Sequence, residues 1–288
     1  MIKEEVFYPA AARMPFLPTN GVEFMYLNFI YGVYKEDKRA IYAVDPSVKV
    51  IETFCEYKSK ILGMIQNGYY ENFSHFLFCG DSHIMGYEYL VRHRRLGPAM
   101  SLICRIQGAS AYGLGNVNSE SGAIRQIKRV LSEPVGNPLL LLNLGEVDCR
   151  YTLWLLEKQK KVPLEESLRV ALENYEGLVD WFLDRGYKRI VLAGPHIPVW
   201  SDETIWTKNQ TGCRKVYDAT LKFSGGLRHL AQRKGLKYFD INEDLQALDG
   251  EGRLCYGVIP GEHHLNPEFC ANFYISKILE AYRQTTTY

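Results

Sequence analysis

Phe76-Leu77-Phe78-Cys79-Gly80-Asp81-Ser82-His83 passes from an apolar run straight into a glycine and three polar residues. The run reads as a strand from His75 to Cys79. The pattern from Ile84 to Leu96, closed by Gly97-Pro98, reads as a helix. A strand that feeds a helix through so short a turn belongs in a parallel α/β sheet, and it sets Ser82 at that sheet's carboxyl edge. Ligands bind at this edge in open α/β folds, and backbone N–H groups at a helix start stabilise a developing oxyanion. The plainer use of Asp81 or Ser82 is to cap the helix.

Working outward, short apolar runs alternate with helical patterns from about residue 74 onward, as in a parallel α/β domain. Further strands are expected at Ser101 to Ile106, Pro138 to Leu144, Arg189 to Ala193 and Leu236 to Ile241; most are largely apolar, as strands covered on both faces should be. In Leu164 to Arg185, apolar residues recur at Leu164, Leu168, Ala171, Tyr175, Leu178 and Phe182, close to the helical period, and Gly186 stops the helix. The last helix takes Asn266 as N-cap and Pro267 as its first residue, and runs to about Tyr282. Before residue 74 the pattern changes. Val22 to Tyr34 and Arg39 to Val44 suggest a β-hairpin around Lys35-Glu36-Asp37-Lys38, and Ile51 to Met64 suggests a helix. Residues 1–73 are therefore expected to form an N-terminal extension packed on an α/β domain of residues 74–288.

Composition excludes several classes. The chain of 288 residues is 47% hydrophobic and 23% charged, and 34 Lys+Arg against 33 Asp+Glu leave a net charge of +1. There is no global electrostatic footprint for nucleic acid or an anionic membrane. The longest apolar runs, such as Leu139 to Leu142, fall far short of a membrane span, and Met1-Ile2-Lys3-Glu4-Glu5-Val6 lacks a secretory core. Seven cysteines without a C-x-x-C pair point to reduced thiols, hence a cytoplasmic location and unused sequons at Asn72 and Asn209.

Near the other end stands Gly261-Glu262-His263-His264-Leu265-Asn266-Pro267, a loop before the final helix. A serine hydroxyl is a poor nucleophile until a base takes its proton, and a late loop histidine supplies that base. Paired histidines also suit zinc, but neither H-E-x-x-H nor C-x-x-C accompanies them, so no metal is expected. Also absent are the G-x-S-x-G nucleophile elbow and the phosphate-binding P-loop.

Gly80-Asp81-Ser82 after the first core strand and His264-Leu265-Asn266 before the last helix resemble the GDSL-type, or SGNH, hydrolase superfamily, over about residues 74 to 284. The resemblance implies a three-layer, flavodoxin-like α/β sandwich with a parallel sheet of about five strands. It implies Ser82 as nucleophile and oxyanion N–H donor and His264 as general base. The second block, Gln107 to Asn116, offers Gly108 or Gly113 as a further N–H donor. Two departures stand out. The third block, normally Gly-x-Asn-Asp, is Gly145-Glu146-Val147-Asp148, and Val147 cannot donate a hydrogen bond; Asn116 or Arg150 is left to replace it. Three residues before His264 stands Gly261 rather than Asp, so either Glu262 or a backbone carbonyl orients the imidazole.

Glu146, Asp148 and Arg150 form a charged cluster at a strand's carboxyl end, serving either the site or an internal salt bridge. His83, where the familiar motif has Leu, either contacts substrate or fills the first helical turn beside Asp81. Pro195-His196-Ile197-Pro198-Val199-Trp200 opens a loop through Trp206 at the same edge, and Arg92-His93-Arg94-Arg95 ends a helix where cations suit the dipole. The expected chemistry is acyl-ester hydrolysis, of an acylated carbohydrate and without a cofactor. The same machinery with a sugar acceptor and acetyl-coenzyme A as donor gives an O-acetyltransferase. A non-catalytic carbohydrate-binding protein is the remaining reading, supported by the missing Asn and Asp.

Overall fold

The computed structural model describes residues 26–31, 74–93, 95–96, 99–119, 121–134, 136–197, 212–245 and 264–286. Six parallel strands make one sheet: β1 (Tyr26–Tyr31), β2 (Ser74–Gly80), β3 (Ala99–Arg105), β4 (Leu139–Asn143), β5 (Arg189–Ala193) and β6 (Lys237–Phe239), in the order β1-β3-β2-β4-β5-β6. From β2 onward this is the flavodoxin-like order, in which the chain first moves to one side of the opening strand and then crosses to the other.

Both faces of the sheet are covered, for the reason written in its strands. Side chains alternate, so Phe76 and Phe78 of β2, Leu139 and Leu141 of β4, and Val191 and Ala193 of β5 share one face. Leu77, Cys79, Leu140, Leu142, Ile190 and Leu192 share the other. The first face packs against helices α1 (Met85–Arg92) and α5 (Pro267–Thr286). The second packs against α2 (Ala123–Val130), α3 (Leu164–Asp184) and α4 (Cys213–Lys234). The result is a three-layer α/β/α sandwich.

The expected strands from residue 74 on are present, with ends shifted by a residue or two. Asn266 caps α5, its Oδ1 accepting from the amides of Glu268 at 2.9 Å and Phe269 at 3.2 Å. Gly186, at φ +86°, follows the end of α3.

One strand of the N-terminal region is among the described residues. Tyr26–Tyr31 pairs with β3 in parallel, with Tyr26 opposite Ala99 and Tyr31 opposite Cys104. The stretch before residue 74 contributes an edge strand, so the described residues form six parallel strands, in keeping with a sheet of about five. The hairpin partner at 39–44 and the helix at 51–64 lie outside the described residues.

Helix α4 carries Gly225 and Gly226 in its middle, which weaken any reading from helical preference alone. A Cβ at Gly226 would come within 2.3 Å of Leu172, so the glycine allows α4 to lie close on α3. After Gly145 the chain coils through two π-helical turns, Asp148–Thr152 and Leu156–Lys160. Such turns are rare and cluster at functional sites.

Candidate active site

Ser82 opens a 3-10 turn, Ser82–Ile84, at the carboxyl end of β2, and α1 follows at once. Because β3 and β4 flank β2, this end is the topological switch point of the sheet. Gly80 is required there: a Cβ would lie 2.2 Å from the Asn143 carbonyl oxygen of β4. Asp81 caps the turn, its Oδ1 accepting from the His83 amide at 2.8 Å. The capping role expected for Asp81 is therefore present, and it leaves Ser82 for chemistry.

His264 directly precedes the Leu265-Asn266 entry to α5, and α5 packs on α1. Gly86 of α1 lies against Tyr274 and Cys270 of α5, and the Tyr87 and Tyr274 rings stack at 4.2 Å. Two neighbouring helices therefore start side by side, with Ser82 at the head of one and His264 at the head of the other. His264 Nε2 stands 3.0 Å from Ser82 Oγ. Burial, then the charge of Arg150, pushes the His264 pKa down to about 3. The imidazole is therefore neutral and able to accept a proton at physiological pH. Glu262 and His263 lie outside the described residues.

The second block sits next to the serine turn, for the Ile106 amide donates to the Gly80 carbonyl at 2.9 Å. Two residues on, Gly108 takes a left-handed φ of +70° and is exposed. The Gly113 amide instead donates to Ser110 Oγ at 3.0 Å. Asn116 is exposed and its Oδ1 accepts from the Asn118 amide at 2.9 Å, so it serves its own turn.

The charged cluster divides into two uses. Asp148 is fully buried and accepts from the amides of Ala111 at 2.6 Å and Tyr112 at 2.9 Å. It anchors the second block rather than facing substrate. Burial lifts its pKa to about 7 against the lowering effect of those amides. Glu146 is held by Arg150 in a two-pronged ion pair, Nη2 to Oε2 at 3.0 Å and Nε to Oε1 at 2.9 Å. The same Oε2 lies 3.3 Å from His83 Nδ1, which is also 3.1 Å from Asp81 Oδ1. His83 is thus a buried member of a charged network as well as part of the first helical turn.

His196, quoted in the sequence only as part of a loop, joins this network. Its ring lies 4.8 Å from that of His83, and the His83 ring lies 4.6 Å from that of His264. The signal was its place just past the end of β5, where loops meet the site. Asn242 fixes that loop, accepting from the Ile197 amide and donating to the Pro195 carbonyl, each at 2.7 Å. Burial depresses the His196 pKa to about 4. His83, Glu146 and His196 are also the group among the described residues able to hold a metal ion. Trp200 and Trp206 lie outside the described residues.

No protein-family model matches the chain, and neither does any curated protein. Solved structures do. A carbohydrate acetylesterase from Sinorhizobium meliloti superposes with a TM-score of 0.54 at 15% identity, over 73% of this chain and 99% of that one. A protein described as an acylhydrolase from Bacteroides fragilis gives 0.50 at 12% identity, over 75% and 89%. One described as an arylesterase from Agrobacterium tumefaciens gives 0.50 at 14%, over 72% and 99%. The chain shares the α/β fold of these three solved structures. No helix among the described residues is long and apolar enough to cross a membrane.

Proposed function

We propose that the protein is a serine-dependent esterase acting on an acylated carbohydrate. The observation that carries this reading is the 3.0 Å contact between Ser82 Oγ and His264 Nε2 at the carboxyl edge of the sheet. It falls within the hydrogen-bond reach that a nucleophile and its base require. The non-catalytic alternative gives no reason for a base to be held on the serine by two packed helices.

In the proposed reaction Ser82 Oγ attacks the ester carbonyl carbon while His264 Nε2 takes the hydroxyl proton. The oxyanion is met by the N–H groups of Ser82 and Gly108. The C–O bond breaks, and the departing sugar oxygen takes the proton from His264. Water, deprotonated by the same imidazole, then attacks the acyl-serine, and the carboxylic acid leaves with Ser82 restored. An imidazolium buried near Arg150 is costly, so its formation calls for a partner at Nδ1; Glu262 or a backbone carbonyl is assigned that part. A carbohydrate ester is favoured because a neighbour of the same fold is a carbohydrate acetylesterase.

The test is time-dependent labelling by an organophosphonate probe, read by mass spectrometry. Wild-type protein should gain one adduct on Ser82, and Ser82→Ala should gain none. An unlabelled wild-type protein that hydrolyses no p-nitrophenyl acetate would remove the reading.

A further inference from the structure

Beside the Ser82–His264 pair, His83, Glu146 and His196 each bring one ligating atom to within 4.8 Å of the other two, and all three residues are buried. We propose that these residues form a binding site for a divalent transition-metal ion of the zinc type. The site is separate from the paired histidines of the sequence, and it does not depend on the esterase reading.

The donor set comes first. Two imidazoles and one carboxylate suit zinc or its neighbours rather than magnesium or calcium, which prefer oxygen alone. Bonds of 2.0–2.1 Å in a tetrahedral site put donor atoms about 3.4 Å apart. The donor atoms now lie within 4.8 Å of one another, so binding an ion requires them to draw inward. Three protein ligands leave the fourth position for water.

The outer contacts are those a metal-bound histidine needs. His196 Nδ1 lies 2.7 Å from the Ile197 carbonyl oxygen. A carbonyl only accepts, so the proton is assigned to Nδ1 and the lone pair to Nε2. His196 Nε2 is buried and has no hydrogen-bond partner among the described residues. Its loop is clamped by Asn242, so the ring is held before any ion arrives. His83 Nδ1 lies 3.1 Å from Asp81 Oδ1 and 3.3 Å from Glu146 Oε2. Arg150 donates from Nη2 to Glu146 Oε2 at 3.0 Å, and its Nε lies 2.9 Å from Oε1.

Charge supplies an independent argument. Asp81, Glu146 and Asp148 are three buried carboxylates in this cluster, and Arg150 is the cation paired within it. The nearby Arg105 is matched by Glu88 at 2.8 Å. Asp81 Oδ2 is buried and without a hydrogen-bond partner among the described residues. Buried carboxylate charge must be compensated by a cation or by protons, and burial raises the pKa of both Asp81 and Asp148. Protons on the same carboxylates are the competing account, and it predicts no bound ion.

The experiment is a titration of the full-length, chelator-treated protein with Zn2+ by calorimetry, repeated with Co2+ and followed by visible absorption. We expect one ion per chain with a Kd of about 1 µM or tighter, and the absorption of four-coordinate cobalt. His196→Gln and Glu146→Gln should each weaken binding at least tenfold, roughly the smallest effect of disturbing a metal site. Circular dichroism identifies any variant that fails to fold, and the other then decides. The double variant His263→Ala/His264→Ala should keep the affinity within about threefold. Absence of saturable binding, or affinity lost in the double variant but kept in His196→Gln and Glu146→Gln, would overturn the site.

Discussion

The reacting pair and the charged network beside it occupy one edge of the sheet, yet they are built differently. Ser82 and His264 stand at the heads of α1 and α5, two helices packed on the same face. Each is specified by a short local pattern, a strand–glycine turn or a capped helix start. The network of His83, Glu146, Arg150 and His196 draws on the ends of three strands, β2, β4 and β5. Its members carry little local signal, and their relation exists only in the folded chain. The pair depends on helix packing, whereas the network depends on strand order.

The largest effect that tests this contrast is on the serine. Ser82→Ala should lower kcat for p-nitrophenyl acetate by about 10³-fold or more, with the melting temperature nearly unchanged. Retained turnover would place the nucleophile elsewhere. Next comes the base: His264→Ala should cost at least about a hundredfold in kcat, and His263→Ala less than about threefold. Equal losses from the two histidines would break the assignment of Nε2 as proton acceptor.

The dependence on helix packing is tested far from either reacting atom. A Cβ at Gly86 would lie 2.7 Å from the Tyr274 ring and 2.8 Å from Cys270 Cβ. Gly86→Ala should therefore push α1 and α5 apart. The overpacking costs about 1–3 kcal/mol and outweighs the ~1 kcal/mol gained in helix preference. The shift of Ser82 against His264 should cut kcat by about ten- to a hundredfold. A more stable, fully active variant would show that the pair does not rely on that contact.

A smaller effect belongs to Glu262. Its register, two residues before the base, predicts a loss of only about tenfold in kcat for Glu262→Gln. A loss near the 10⁴ typical of a full triad carboxylate would make Glu262 the orienting acid. The smallest effect concerns pH in chelator-treated protein. His264 works as base when neutral, and burial and Arg150 hold its pKa near 3. Thus kcat/KM should change less than about twofold between pH 7 and pH 5, where an ordinary imidazole would lose most of its neutral form. Stability should move the other way. The unfolded histidine binds a proton below about 6.5 and the folded one does not until about 3, so the melting temperature should fall as pH drops from 6.5. A rate that halves near pH 6.5 would contradict the buried, neutral base.

Most of the sheet was legible from sequence because its strands are covered on both faces and so read as apolar runs. Helix α3 was legible because its apolar residues keep the helical period. Helix α4 was not, since Gly225 and Gly226 hide a glycine that contact with Leu172 requires. The parallel pairing of β1 with β3 was not legible, because nothing local marks a strand that joins a distant parallel partner. At the site, Gly80-Asp81-Ser82 and His264-Leu265-Asn266 were legible as turn and cap chemistry. The part Asp148 plays was not legible, because a carboxylate looks alike in sequence whether it meets a ligand, a cation or, as here, the amides of Ala111 and Tyr112.

By itself the sequence determined the α/β class, the positions of most core strands, and the turns on which Ser82 and His264 sit. These features rest on interactions within a few residues: side-chain alternation, a glycine at a crowded turn, an asparagine cap. Only the tertiary structure decided that the two residues meet at 3.0 Å across 182 positions and that His196 joins His83 and Glu146. Those relations are set by which helices pack together and which strands are neighbours. Such contacts between distant parts of a chain leave no periodicity for a local reading to detect.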